Sequence, residues 1–380
     1  MIIKAKNIVL SDQMIEDGAI MIKGDKIEKI YKKGDHIQAN EEVKDYGQAT
    51  ISPGFVDTHI HGFSGCDIMD KSSQSVKVIC KDILSIGVTS FLPTTLTASV
   101  DDLNEVVKIV GDCRDSYGAK IQGIFLEGPF FTDKYKGAQN NEYFSKPSIE
   151  KLKKWQELSG NLIKKIAIAP ELEGAEDFIR EARKIGVYVG LGHSDATFEE
   201  AKRSVDAGAN IFVHTYNGMS GLHHRNPGMV GAALTLEDVF AEMICDGHHV
   251  HPAAANVVVK ARGCDSVMLV SDCMMAGGMP PGQYKLGDFN VTMDGKTARL
   301  EAGNLAGSVL SMKEAVKNVI SWGIASPLEA IHMATLVPAK SVGIDDVCGV
   351  IDEGRVADLV ILDDKYEIID VYLDGKKVII

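Results

Sequence analysis

Across the middle of the chain, from residue 53 to residue 344, one rhythm repeats. Short runs rich in apolar and β-branched residues alternate with stretches whose apolar positions recur at helical spacing. Eight runs read as strands: 54–58, 88–92, 121–126, 165–169, 187–191, 210–213, 240–245 and 267–270. Helical stretches follow most of them, for example 76–86 and 199–207. Eight successive βα units predict a closed (β/α)8 TIM-type barrel.

The flanks keep a different rhythm. Residues 1–52 hold short strands with tight turns, and 20–27 reads as a hairpin with Gly24-Asp25 at its turn. Residues 345–380 return to the same pattern at 357–362 and 371–378. Both ends read as β, which predicts a small β-sandwich domain assembled from 1–52 and 345–380 beside a 53–344 barrel domain.

Bulk properties narrow the partners. Of 380 residues, 45% are apolar and 24% charged, as in a soluble globular protein. The net charge of -13 argues against nucleic acid and anionic membranes, but not against a small anion held by a few local cations. Met1-Ile2-Ile3-Lys4-Ala5-Lys6 does not open a signal segment, and no apolar run is long enough to span a bilayer. The seven cysteines lack CxxC spacing. The expectation is a cytoplasmic protein with reduced thiols.

The candidate chemistry falls at strand ends. Asp57-Thr58-His59-Ile60-His61 closes the first strand, and Glu127 follows the third. His193 follows the fifth and His214 the sixth. Asp246-Gly247-His248-His249 follows the seventh and Asp272 the eighth. In a barrel these positions share the C-terminal rim, where the active sites of this fold are built. Imidazole and carboxylate are donors that Zn2+ and similar ions take. His59 and His61 lie on one side of an extended segment, because side chains alternate with period two. A His-x-His pair alone is as often structural as functional. Joined by a carboxylate and two later histidines on one rim, it becomes a specific pattern. His36 reads as surface, His223 and His224 as loop, His251 as a helix start and His332 as helical packing. None of these, nor His248, is given a role.

Pro53-Gly54-Phe55-Val56-Asp57-Thr58-His59-Ile60-His61-Gly62 resembles the amidohydrolase superfamily. Gly354-Arg355-Val356-Ala357-Asp358-Leu359-Val360 resembles the segment closing that superfamily's β-sandwich. Other segments narrow the likeness: Leu126-Glu127-Gly128-Pro129-Phe130, Gly192-His193-Ser194, His214-Thr215-Tyr216-Asn217-Gly218-Met219, Asp246-Gly247-His248-His249-Val250, Ser271-Asp272 and Leu305-Ala306-Gly307-Ser308. In this order, over nearly the whole chain, they resemble the N-acetylglucosamine-6-phosphate deacetylases.

That resemblance implies a reaction: metal-dependent hydrolysis of the acetamide of N-acetyl-D-glucosamine 6-phosphate to D-glucosamine 6-phosphate and acetate. It implies that Glu127, His193 and His214 hold a principal ion, that His59 and His61 support a second, and that Asp272 is the catalytic acid/base. Ala138, Gln139, Asn217, Gly218, Arg225, His249, Leu305, Ala306 and Gly307 would bind the sugar phosphate. A homodimer is implied as well. Zn, Fe, Mn and Co all suit the donors, with one ion or two per subunit. Where some family members carry a histidine after the Glu-Gly-Pro loop, this chain has Gln139, which donates a hydrogen bond but cannot become cationic.

Other readings stand beside these. Arg225 suits phosphate oxygens, in its own site or a neighbour's, or is a solvated loop arginine. Asp272 also reads as a helix N-cap, and Asn217 as a turn residue before Gly218. An N-acetylgalactosamine-6-phosphate deacetylase differs in one hydroxyl configuration. A cyclic-amide hydrolase is disfavoured, because many of its binuclear relatives use a carboxylated lysine where this chain has Glu127. A barrel that had lost its chemistry would also have lost ligands, and this chain keeps them all.

Overall fold

A computed structural model of the chain describes residues 1–37 and 42–379. Residues 38–41 of the expected 1–52 segment, and residue 380 of the expected tail, lie outside the described residues. At the centre are eight strands: β1 (Phe55–Ile60), β2 (Val88–Thr95), β3 (Ile124–Phe130), β4 (Ile163–Ile168), β5 (Tyr188–Leu191), β6 (Ile211–Phe212), β7 (Phe240–Met243) and β8 (Val267–Leu269). Each pairs in parallel with the next. Two contacts close the ring just beyond β8. The Asp272 N–H donates to the His59 carbonyl, and the His61 N–H to the Cys273 carbonyl, both at 2.8 Å.

Every residue of β1 and β2 is buried, as expected for strands covered on both faces. Helices begin where serine or threonine accepts the N–H three residues on. Ser72, Ser99, Ser148 and Thr197 do so before Ser73–Asp82, Val100–Asp112, Ile149–Leu158 and Phe198–Asp206. Each such cap contributes about 1 kcal/mol. The strands fall within a few residues of their expected places. The largest departure is β3, which runs on through Glu127-Gly128-Pro129, where a proline argues against continuing a strand.

The chain's two flanks meet in a separate sheet. Thr50–Pro53 lies between Ile2–Val9, parallel to it, and Leu359–Leu362, antiparallel to it. Met14–Lys23 and Lys26–Tyr31 form the expected hairpin, with Gly24 at φ 64° in the turn. Ile3, Ile8, Ile20, Ile51, Leu359 and Ile361 give this sheet an apolar core of its own. A second sheet is absent from the sequence reading: Gly282–Leu286, Phe289–Met293 and Ala298–Leu300 make a three-stranded antiparallel insert. Its Leu286, Val291 and Met293 pack on Leu96, Met274 and Ala306. Among the described residues no helix is long and apolar enough to cross a membrane.

Candidate active site

The barrel rim gathers its polar residues by local backbone geometry. His193, His214 and Asp272 follow β5, β6 and β8, and each has positive φ: 48°, 33° and 49°. A left-handed conformation costs a non-glycine residue on the order of 1–3 kcal/mol. A glycine would relieve that cost but supply no donor. His59 lies within β1, His61 just after it, and Glu127 in the middle of β3. All six side chains are buried.

Each imidazole is held through Nδ1. For His61 the partner is the Thr94 carbonyl at 3.2 Å, for His193 the Tyr135 carbonyl at 3.1 Å, and for His214 the Asn217 carbonyl at 3.0 Å. For His59 it is Glu242 Oε2 at 3.0 Å. These oxygens can only accept, so the protons sit on Nδ1 and the Nε2 lone pairs turn inward. There they meet two carboxylates. Glu127 Oε1 lies 3.2 Å from His193 Nε2, 3.1 Å from His214 Nε2 and 3.4 Å from His59 Nε2. Glu127 Oε2 lies 3.3 Å from His61 Nε2, and Asp272 Oδ1 lies 3.2 Å from the same atom.

These donors form two groups, Glu127-His193-His214 and His59-His61-Asp272, each close enough to hold one ion. Glu127 touches both groups. Two observations test whether a cation fits. The Nε2 atoms of His193 and His214 face each other at 3.0 Å, and with both protons on Nδ1 that contact is repulsive unless a cation joins them. His59 Nε2 is buried and makes no hydrogen bond. The donor set therefore fits a divalent ion, with partners behind each imidazole of the kind that orient metal ligands.

Electrostatics agree. Burial pushes the Asp272 carboxyl up, but His59 and His61 outweigh it and hold it below the ordinary range. Burial likewise works against charging the two imidazoles. The facing carboxylates prevail and raise His59 to about 9 and His61 to about 10. The pocket attracts positive charge, whether proton or metal.

A cavity of about 330 Å3 opens over these groups. Seven expected substrate residues line it: Ala138, Gln139, Asn217, Gly218, His249, Leu305 and Gly307. Gln139 donates from Nε2 to Glu127 at 2.6 Å and accepts the Thr97 N–H at 2.9 Å. These two bonds use one amide N–H of Gln139 and leave the other. His249 is pinned through Nδ1 to Asp246 at 2.7 Å. Two expected residues stand apart from the cavity. Ala306 is fully buried in the apolar cluster beneath the insert. Arg225 sits on an exposed loop, its Nη1 2.9 Å from His224 Nε2. Sequence reasoning missed Leu96, Leu286 and Asn304 in the lining, and Glu242 and Lys165 behind it. A charged residue inside each of two apolar strands was the available signal for that last pair.

A parallel barrel with a histidine–carboxylate rim defines a class, and comparison with known sequences agrees. The chain belongs to the amidohydrolase family, whose sequence pattern matches residues 50–378. The chain is 42% identical over 337 residues to an N-acetylglucosamine-6-phosphate deacetylase from Vibrio furnissii, covering 87% of this chain and 84% of that one. An N-acetylgalactosamine-6-phosphate deacetylase from Escherichia coli O157:H7 is 41% identical over 328 residues, covering 86% and 87%. Among solved structures, a variant N-acetyl-D-glucosamine-6-phosphate deacetylase from Mycobacterium smegmatis, in complex with N-acetyl-D-glucosamine-6-phosphate, superposes with a TM-score of 0.94 at 27% identity. That match covers 100% of this chain and 99% of the other. Within the amidohydrolases the chain groups with the N-acetylglucosamine-6-phosphate deacetylases.

Proposed function

We propose that this chain hydrolyses the acetamide of N-acetyl-D-glucosamine 6-phosphate, giving D-glucosamine 6-phosphate and acetate in amino-sugar catabolism. The observation that carries the reading is the pairing of two histidine–carboxylate groups through Glu127, with Asp272 at the edge of the cavity above them.

Glu127, His193 and His214 would hold the principal ion, and His59 and His61 a second. When bound, such an ion would polarise the amide oxygen and lower the pKa of the attacking water toward neutrality. Asp272 takes the proton of the attacking water, being ionised in the resting site. It then delivers that proton to the departing amine nitrogen, which leaves as a neutral group. Gln139 has one free amide proton for the acetyl carbonyl. Asn217, the Gly218 N–H and His249 hold the sugar phosphate from the cavity wall, while Leu305 and Gly307 bound the sugar. Asp246 fixes the ring of His249 so that Nε2 is the end offered.

Arg225 is read as a phosphate anchor. Its exposure, away from its own chain's cavity, fits service to the site of a second copy in a homodimer. Arg225→Ala is expected to weaken catalysis on the phosphorylated sugar by about 2–4 kcal/mol, roughly 30- to 1000-fold, as for a lost charge-assisted contact. Hydrolysis of the unphosphorylated sugar should barely change. Equal losses on both would assign Arg225 to structure instead.

The second ion has its own test. Protein saturated with Zn2+ is expected to hold more than one ion per chain by elemental analysis, and the His59→Ala/His61→Ala variant fewer. Equal metal contents would remove the pair from the ligand set.

Acetate release from a panel of N-acetylhexosamines, with and without the 6-phosphate, tests the reading as a whole. Metal-reconstituted protein should prefer the 6-phosphate of N-acetylglucosamine. The 41% identity to an N-acetylgalactosamine-6-phosphate deacetylase favours a second reading, in which the galacto epimer is the better substrate. Activity on cyclic amides with none on either sugar phosphate would overturn both.

A further inference from the structure

Behind the metal-ligating groups the barrel interior holds a fully buried ion pair. Lys165, on β4, and Glu242, on β7, have side chains with no exposure at all. Lys165 Nζ donates to Glu242 Oε1, and also reaches the Thr58 carbonyl at 3.4 Å. It sits over the Phe125 ring, 3.7 Å from its centroid, and that ring meets the His59 imidazole edge-on at 4.9 Å. The other carboxylate oxygen is also taken. Glu242 Oε2 accepts from His59 Nδ1 at 3.0 Å and from the His214 backbone N–H at 3.1 Å.

A buried pair of this kind is a costly way to fill a core. Taking both charges out of water costs several kcal/mol per ion, and well-packed apolar residues of similar volume often serve stability as well or better. Packing alone therefore explains Lys165 and Glu242 poorly. Their contacts suggest another reason. His59 differs from the other three histidines in its Nδ1 partner. His61, His193 and His214 are fixed by backbone carbonyls, which the fold holds still. His59 is fixed by a side chain, and a glutamate has rotamer freedom unless something removes it. Lys165 removes it by occupying the oxygen that faces away from His59.

We infer that Lys165 and Glu242 are positioning residues: together they lock the His59 imidazole with its Nδ1 proton toward Glu242 and its Nε2 toward His61 and Asp272, and so retain the second metal ion. The inference rests on the two-ion reading given above. Outer partners of metal-bound histidines typically contribute 10- to 100-fold in metal affinity. The loss should fall on the second ion. His193 and the side chain of His214 have no contact with the pair, and only the backbone N–H of His214 touches it.

The test removes both charges at once, so that neither is left alone in the core. Full-length Lys165→Met/Glu242→Leu protein is loaded with Zn2+, its ion content and affinities are read by competition with a chromophoric chelator, and its melting is recorded. The expected result is a principal ion bound as in wild type and a second ion bound about 10- to 100-fold more weakly, with melting little changed. Lys165→Met/Glu242→Gln keeps a neutral acceptor for His59 Nδ1. It should recover part of the second-ion affinity without reaching wild type. That partial rescue is a readout that mere core packing would not produce. If the Leu variant fails to fold, the Gln variant decides alone, by a second-ion affinity below wild type. Wild-type affinity for the second ion in the folded variants overturns the inference while leaving the two-ion reading intact. Wild-type protein that takes up a single ion overturns both.

Discussion

Asp272→Asn protein is expected to bind substrate and the principal ion normally and to turn over at least about 10²–10⁴-fold more slowly than wild type. The expectation follows from where Asp272 sits. Its Oδ1 lies 3.4 Å from His59 Nε2 and 3.2 Å from His61 Nε2, at the edge of the cavity proposed to receive the acetamide. It is not part of the Glu127-His193-His214 group, so the principal ion does not depend on it. In the proposed mechanism its carboxylate exchanges protons between water and the leaving nitrogen. Asparagine keeps the shape and cannot carry the proton. Both steps that need proton transfer are then slowed, so the loss belongs in kcat more than in KM. Single-turnover acetate release checks it, with substrate binding measured separately by calorimetry. Near-normal turnover in this variant would take Asp272 out of the mechanism.

The other large effect is removal of metal. Chelated protein is expected to lose acetate release entirely and to regain it on addition of a divalent transition ion. His193→Ala and His214→Ala should fail to recover, because each takes away one of two imidazoles whose Nε2 atoms face each other at 3.0 Å. Glu127 cannot replace them. Its Oε1 is shared among His59, His193 and His214, and its Oε2 is engaged by Gln139. An amide is a weak electrophile and water a weak nucleophile, so residues alone leave both problems unsolved. Full turnover by rigorously metal-free protein would remove the proposed mechanism as a whole.

How much of this was legible in the sequence depends on the kind of signal each residue leaves. The barrel was legible from its eight alternating βα units, and all six rim groups were singled out because apolar strand runs end abruptly in histidine or carboxylate. Backbone exceptions were not legible. The strand through Glu127-Gly128-Pro129 reads as ended at residue 126, because proline is ordinarily a strand breaker. The insert at Gly282–Leu300 was missed for a related reason. Its strands have three to five residues and leave every second position in water, so their composition is that of a loop. Lys165 and Glu242 were hidden more deeply. Lys165 follows Lys164 in β4 and Glu242 is the one charge in β7, and neither has a visible partner until the barrel brings the two strands to the same interior. Arg225 shows the opposite limit: its side chain is easy to single out in sequence, but the single chain does not bring it to the cavity.

The sheet that joins the two flanks bears on how the molecule reaches its native state. Thr50–Pro53 has Ile2–Val9 on one side and Leu359–Leu362 on the other, so the entire barrel intervenes in sequence between two adjacent strands. Pairings this distant form late, since the chain must be brought together before any contact rewards it. Until then Ile51 and its neighbours present an unpaired apolar edge to solvent, and such an edge recruits other chains as readily as its own. Renaturation from denaturant should therefore be a contest between closing this sheet and aggregating. Its yield should fall as protein concentration rises even though the barrel's own neighbouring strands pair locally.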